Sequence, residues 1–196
     1  MEGGTAGTAP GRRAAGLERL VEAGILAGVA GAVPMGLFAM VASVSWLGDG
    51  LYTPAYRVAF MVDTSAVDEA VRRAAAGEAT YLSREAFAFG VALHCFTAGV
   101  LGAVFALAAR ALRPRRALAL AGYGALYGLA VLGVMTLAVL PALARSMAPG
   151  AALGALATEV GLPALVVAHL LFGAGMAAWP PLRAAVLRPP AAPAGR

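Results

Sequence analysis

The sequence predicts an all-α fold: an integral membrane four-helix bundle with both chain ends cytoplasmic and a short helical external cap. Three observations predict it. Residues 23–48, 86–109, 117–144 and 160–182 are apolar and carry no charge. Each can cross a bilayer core about 30 Å thick, which needs roughly 20 helical residues. The whole chain is 61% hydrophobic and 13% charged, with mean hydropathy +0.80, so it has too little polar surface to coat a soluble globule. Finally, its arginines are distributed unevenly about the apolar stretches.

Arg12, Arg13 and Arg19 precede the first span, Arg110, Arg113, Arg115 and Arg116 lie between the second and third, and Arg183, Arg188 and Arg196 follow the fourth. The opposite side has Arg57, Arg72, Arg73, Arg84 and Arg145 against Asp49, Asp63, Asp68, Glu69, Glu78, Glu85 and Glu159. Positive charge gathers on the cytoplasmic side of membrane proteins, which predicts a multi-pass protein of the cell inner membrane with both termini cytoplasmic. The net charge of +5 therefore serves orientation. No aromatic–basic recognition module accompanies it, which argues against a nucleic-acid partner. The lone cysteine, Cys95, lies within the second apolar stretch and reads as a small hydrophobe. The first stretch exceeds the roughly 7–15 apolar residues of a cleavable signal and is read as a span.

In chain order, residues 1–16 are a Gly/Ala/Thr-rich tail expected to be disordered, and residues 17–186 form the transmembrane domain. Its spans are expected over about residues 17–48, 83–112, 117–144 and 160–186. The first contains Pro34, where a bend is expected. The external loop, residues 49–82, is long enough for two short helices. Thr53-Pro54 starts one, with Tyr56, Phe60 and Met61 as its apolar face. Thr64 or Ser65 caps the other, with Val67 and Val71 on one side and Gly77 as its stop. Ser83 is a candidate N-cap for span two. The RALRPRR turn makes spans two and three antiparallel neighbours. Pro141 weakens the end of span three, and residues 146–158, rich in small residues, are expected along the interface. Pro163 suits the first turn of span four, and Pro180-Pro181 kink or end it near Trp179. Residues 187–196 form a proline-rich, disordered cytoplasmic tail.

Small residues recur at helical spacing: Gly24 and Gly28, Gly99 and Gly102, Gly124 and Gly128, and Gly173. They let backbones approach where lipid removes the usual hydrophobic drive, so they are helix-packing residues. Four spans in one chain can use these faces on each other; pairing with other membrane subunits or a homo-oligomer is the alternative. A faint duplication of a helical hairpin places His94 opposite His169, each followed by glycines.

Those histidines sit at similar depth. His94 is nine residues past Glu85 and His169 ten past Glu159, which puts both about 14–15 Å inward, near the bilayer centre. An ionisable residue there is costly unless partnered and raises a functional question. One reading is a polar packing site in which each imidazole bonds a carbonyl or hydroxyl of a neighbouring helix, Thr97 and Thr136 being available. A second is protonation or solute movement, since imidazole titrates near neutral pH. A third is bis-histidine ligation of haem b by a membrane electron carrier. No carboxylate at that depth completes a metal site, so no resident cofactor or metal is expected under the first two readings. Walker, dinucleotide, HExxH and CxxC motifs are absent, and no enzyme activity is expected. GALYG in span three reads as a helix contact.

The order of features resembles the uncharacterised YagU-like small bacterial inner-membrane proteins. It comprises an Ala/Gly-rich first span from Gly24 to Gly36, a long external loop, a histidine with glycines in span two and a basic turn. A Gly-rich third span ending in Leu140-Pro141 and His169-Leu-Leu-Phe-Gly follow. Where that pattern carries an acid one turn before the last histidine, this chain has Leu165. The resemblance spans about residues 20–185 and implies a multi-pass membrane protein with no defined activity. The expected role is an accessory or structural membrane component; a small transporter or proton-responsive protein using His94 and His169 is the alternative.

Overall fold

The computed structural model describes residues 9–59, 65–114, 116–146 and 161–187, all helix or short connection. Helices α1 (Ala9–Trp46), α2 (Thr53–Ala59), α3 (Ser65–Ala75), α4 (Arg84–Leu112) and α5 (Ala117–Val134) come first. A π-helical turn (Met135–Val139), α6 (Leu140–Ser146), α7 (Leu162–Ala178) and α8 (Pro180–Leu187) follow. Three stretches, Ala14–Trp46, Arg84–Leu112 and Ala117–Ala142, are each long and apolar enough to cross a membrane. The α7–α8 pair, bent by 65°, makes a fourth if it is one span. Large apolar side chains point outward along these helices, Leu118 at 83% and Leu137 at 82% exposure. Hydrocarbon, not water, is the solvent that such a surface tolerates.

Two glycine-locked hairpins build the bundle. On α1, a Cβ at Gly24 would stand 2.7 Å from Ala106 Cβ and from the Gly102 carbonyl oxygen, while one at Gly28 would collide with the Ala98 carbonyl. On α5, a Cβ at Gly124 would strike Gly173, and one at Gly128 the carbonyl of His169. Rising numbers on one helix meet falling numbers on its partner, so α1 runs antiparallel to α4 and α5 antiparallel to α7. The hairpins join through α1 and α7, where a Cβ at Gly31 would lie 2.6 Å from the Phe172 carbonyl oxygen. Gly99 is different, because its nearest neighbour is the flexible Ile25 Cγ2 at 3.3 Å.

This packing corrects two expectations. Spans two and three, adjacent in the chain, are not the close pair: α4 packs on α1, and α5 on α7. What bridges α4 and α5 is aromatic, with the Tyr127 hydroxyl donating to the Leu101 carbonyl at 2.8 Å and Phe105 against the Tyr127 ring. The duplication also has a different register. Ala98 and His169 occupy equivalent positions, as do Gly102 with Gly173 and Ala106 with Ala177, so His94 and His169 are not counterparts.

Helix ends follow local chemistry. Helix α1 begins at Ala9, eight residues before the expected span start, because Pro10 suits a first helical turn and the following Arg and Ala residues favour helix. Residues 9–16 are therefore helix and not a tail. Helix α1 also runs through Pro34 as one helix, with the side-chain-less Gly175 beside the proline ring. Pro141 does not end span three; it cannot donate to Leu137, and the preceding π turn, in which the Leu140 N–H reaches the Met135 carbonyl, takes up the misfit. Pro163 stands in the first turn of α7. The αL residue Arg113 closes α4. The expectations for residues 1–8, 60–64, 147–160 and 188–196, which include Phe60, Met61, Thr64 and Glu159, lie outside the described residues, as do the side chains of Val67 and Val71.

At the end opposite the arginine-rich turn, α2 lies against α4, where a Cβ at Gly90 would strike the Ala55 carbonyl. Tyr56 is fully buried with Ala86, packed by Tyr52, Tyr81 and Phe87. Its hydroxyl donates to the Tyr81 carbonyl at 3.1 Å and accepts from the Ser83 N–H at 2.9 Å. Ser83 occupies the N-cap position of α4, but its hydroxyl makes no capping bond. Gly77, at φ +89, follows α3 as its stop. Glu69 and Glu78 hold Arg73 at 2.6 and 2.7 Å, Glu69 also pairs with Arg72, and Asp49 holds Arg57 at 2.8 Å.

Candidate functional site

Near the middle of the bundle, α4 and α7 each direct an imidazole inward on either side of α1. His94 faces the Ala32 backbone carbonyl of α1, with which its ring interacts. Its Nε2 is buried and has no hydrogen-bond partner among the described residues. His169 is 8% exposed, and its Nδ1 lies 2.8 Å from the Leu165 carbonyl one turn back on its own helix. A carbonyl can only accept, so the tautomer with Nδ1–H donates here.

Local sequence explains this placement. Pro34 offers no N–H, so the helix around Ala30 to Pro34 carries a weakened backbone ladder in the turn that His94 reaches. Gly31 lets α7 seat against α1 at that level, and Gly128 lets α5 press directly onto the His169 backbone. His169 is buried in this apolar packing, and so is the Nε2 of His94. Desolvation makes a polar atom without a partner expensive there, which singles out His94 Nε2.

Neither threonine bonds to an imidazole among the described residues. Thr136 bonds back to the Leu132 carbonyl at 2.8 Å and the Gly133 carbonyl at 3.3 Å, on its own helix at the π turn. Thr97 is half-buried beside His94 on α4 and makes no hydrogen bond to either ring. Of the carbonyl or hydroxyl partners expected on a neighbouring helix, His169 takes a carbonyl, but that of Leu165 on its own helix. Ala32 and Tyr127 are polar participants that sequence patterns pass over. An alanine carbonyl carries no signal, whereas a tyrosine inside an apolar span does, because its hydroxyl must find a partner.

Chemically, an imidazole within the bundle can accept a proton or offer a free ring nitrogen to an electrophile. Among the described residues no group of three or more His, Cys, Asp or Glu is placed to hold a metal ion. Comparison with protein-family models, with curated proteins and with solved structures yields no match.

Proposed function

We propose that the chain is a four-crossing protein of the cell inner membrane, with both termini cytoplasmic and α2 and α3 as an external cap. Its role is non-enzymatic, that of an accessory or structural component within a membrane assembly. The observation that supports this is the pair of matched glycine registers, Gly24–Gly28 on Gly102 and Gly124–Gly128 on Gly173. They give a tightly closed bundle whose outer surface is left for lipid or for other membrane proteins. The test is isolation of the tagged protein from its native membrane in mild detergent, with an absorption spectrum. A stoichiometric membrane partner or second copy, in a colourless preparation, is the expected result. A solitary monomer would contradict the proposal, and a Soret band lost in His94→Ala or His169→Ala would favour the bis-histidine haem reading.

The unpartnered Nε2 of His94 favours a second reading, a small transporter or proton-responsive protein that uses His94 and His169. Proteoliposomes under a pH gradient test it. Proton movement abolished by His94→Ala in a still-folded protein would support it, and tight liposomes indifferent to the substitution would remove it.

A further inference from the structure

Charge pairing differs sharply between the two ends of the bundle. At the capped end, Arg57, Arg72 and Arg73 are held by Asp49, Glu69 and Glu78, while Arg84 and Arg145 are exposed on separate elements, α4 and α6. At the other end, Arg110, Arg113, Arg116 and Arg183 are all exposed and have no acidic partner among the described residues. They are also concentrated: Arg110 is in the last turn of α4, Arg113 closes it, and Arg116 precedes α5. The 65° bend after α7 then lays α8 across this end, where its Leu182 and Val186 join Ala109 and Leu120 in the core. Arg183 follows Leu182 directly and is exposed at this same end of the bundle. Glu18 and Glu22 do not neutralise the patch, because they lie on the face of α1 turned away from Leu20, the residue that meets α8.

We infer that this four-arginine patch is a binding surface for the headgroups of anionic phospholipids. Guanidinium groups pair with phosphate in a bidentate fork. Here they end apolar helices that set them at headgroup level. Bending α8 off the axis of α7 widens the basic surface instead of extending the chain away from the bilayer. The inference rests on the chain residing in a membrane but not on which leaflet the patch faces.

The experiment compares full-length protein in phosphatidylcholine nanodiscs with and without phosphatidylglycerol, reading retained lipid by native mass spectrometry and thermal stability by melting. Phosphatidylglycerol should be retained preferentially and raise the melting temperature. Replacing Arg110, Arg113, Arg116 and Arg183 together by Gln should weaken retention at least about tenfold, while Lys at the same positions, which keeps the charge without the fork, restores only part of it. Arg72→Gln with Arg73→Gln, at the capped end, is the control and should bind as the unaltered protein does. Undiminished retention in the four-Gln variant would overturn the inference. So would equal stabilisation by inorganic phosphate alone, which would mark a free-anion site. Reporter fusions that found the patch outside would correct the orientation and leave the lipid result standing.

Discussion

His94 and Tyr56 show two treatments of a buried polar atom, one left without a partner and one satisfied. Tyr56 satisfies its hydroxyl twice, with the Tyr81 carbonyl and the Ser83 N–H. Tyr56→Phe leaves both backbone groups short of a partner and should cost about 1–3 kcal/mol, measurable by chemical denaturation in detergent. Burial also raises the Tyr56 pKa above its ordinary value of 10.0. The folded state therefore holds its proton longer than the unfolded one, and its contribution is lost as pH climbs past 10. Glu69 behaves in the opposite sense. Its side-chain hydrogen bond with Arg73, aided by Arg72, lowers its pKa from 4.5, so the contribution of these pairs is complete above that pH and fades as pH falls through the lowered value. Hydrogen exchange of α3, corrected for intrinsic rates, should accelerate in acid below that point; an unchanged protection factor would show that the pairs do not hold the helix. The choice of histidine partner is not legible in the sequence, since backbone carbonyls leave no trace in side-chain chemistry.

At the scale of elements, the glycines decide which helices meet. Gly28→Leu and Gly173→Leu place side chains into opposing backbone that cannot yield, and each should destabilise by at least about 1–3 kcal/mol, seen as a lowered melting temperature. Gly99→Ala meets nothing nearer than the flexible Ile25 Cγ2 at 3.3 Å and should be mild; a loss equal to that of Gly28→Leu would undo the assigned packing. The stripes of small residues were legible as contact faces. Their pairing was not, because chain adjacency suggested α4 with α5, whereas contact geometry joined α1 to α4 and α5 to α7. Prolines were read well where they start a helix, as at Pro163, and less well inside one. Pro34 and Pro141 are both absorbed, the first beside Gly175 and the second by a π turn, because neighbouring elements can compensate for a missing N–H. These accommodations depend on contacts distant in sequence.

For the molecule as a whole, the membrane class follows from composition and span length, and the helices agree with it. The number of crossings turns on α7, whose 17 residues cover about 26 Å, slightly short of the bilayer core. It nevertheless lies along α5 from His169 at Gly128 to Ala177 at Gly124, and α8 completes its path to the arginine-rich end. A re-entrant α7–α8 would instead return to the side from which it entered and leave the chain's end there. Reporter fusions after Leu187 and within the loop at Gly77, each active on only one face of the membrane, separate these outcomes. The four-crossing account predicts a cytoplasmic signal after Leu187 and an external one at Gly77; both reporters on the same face would contradict it.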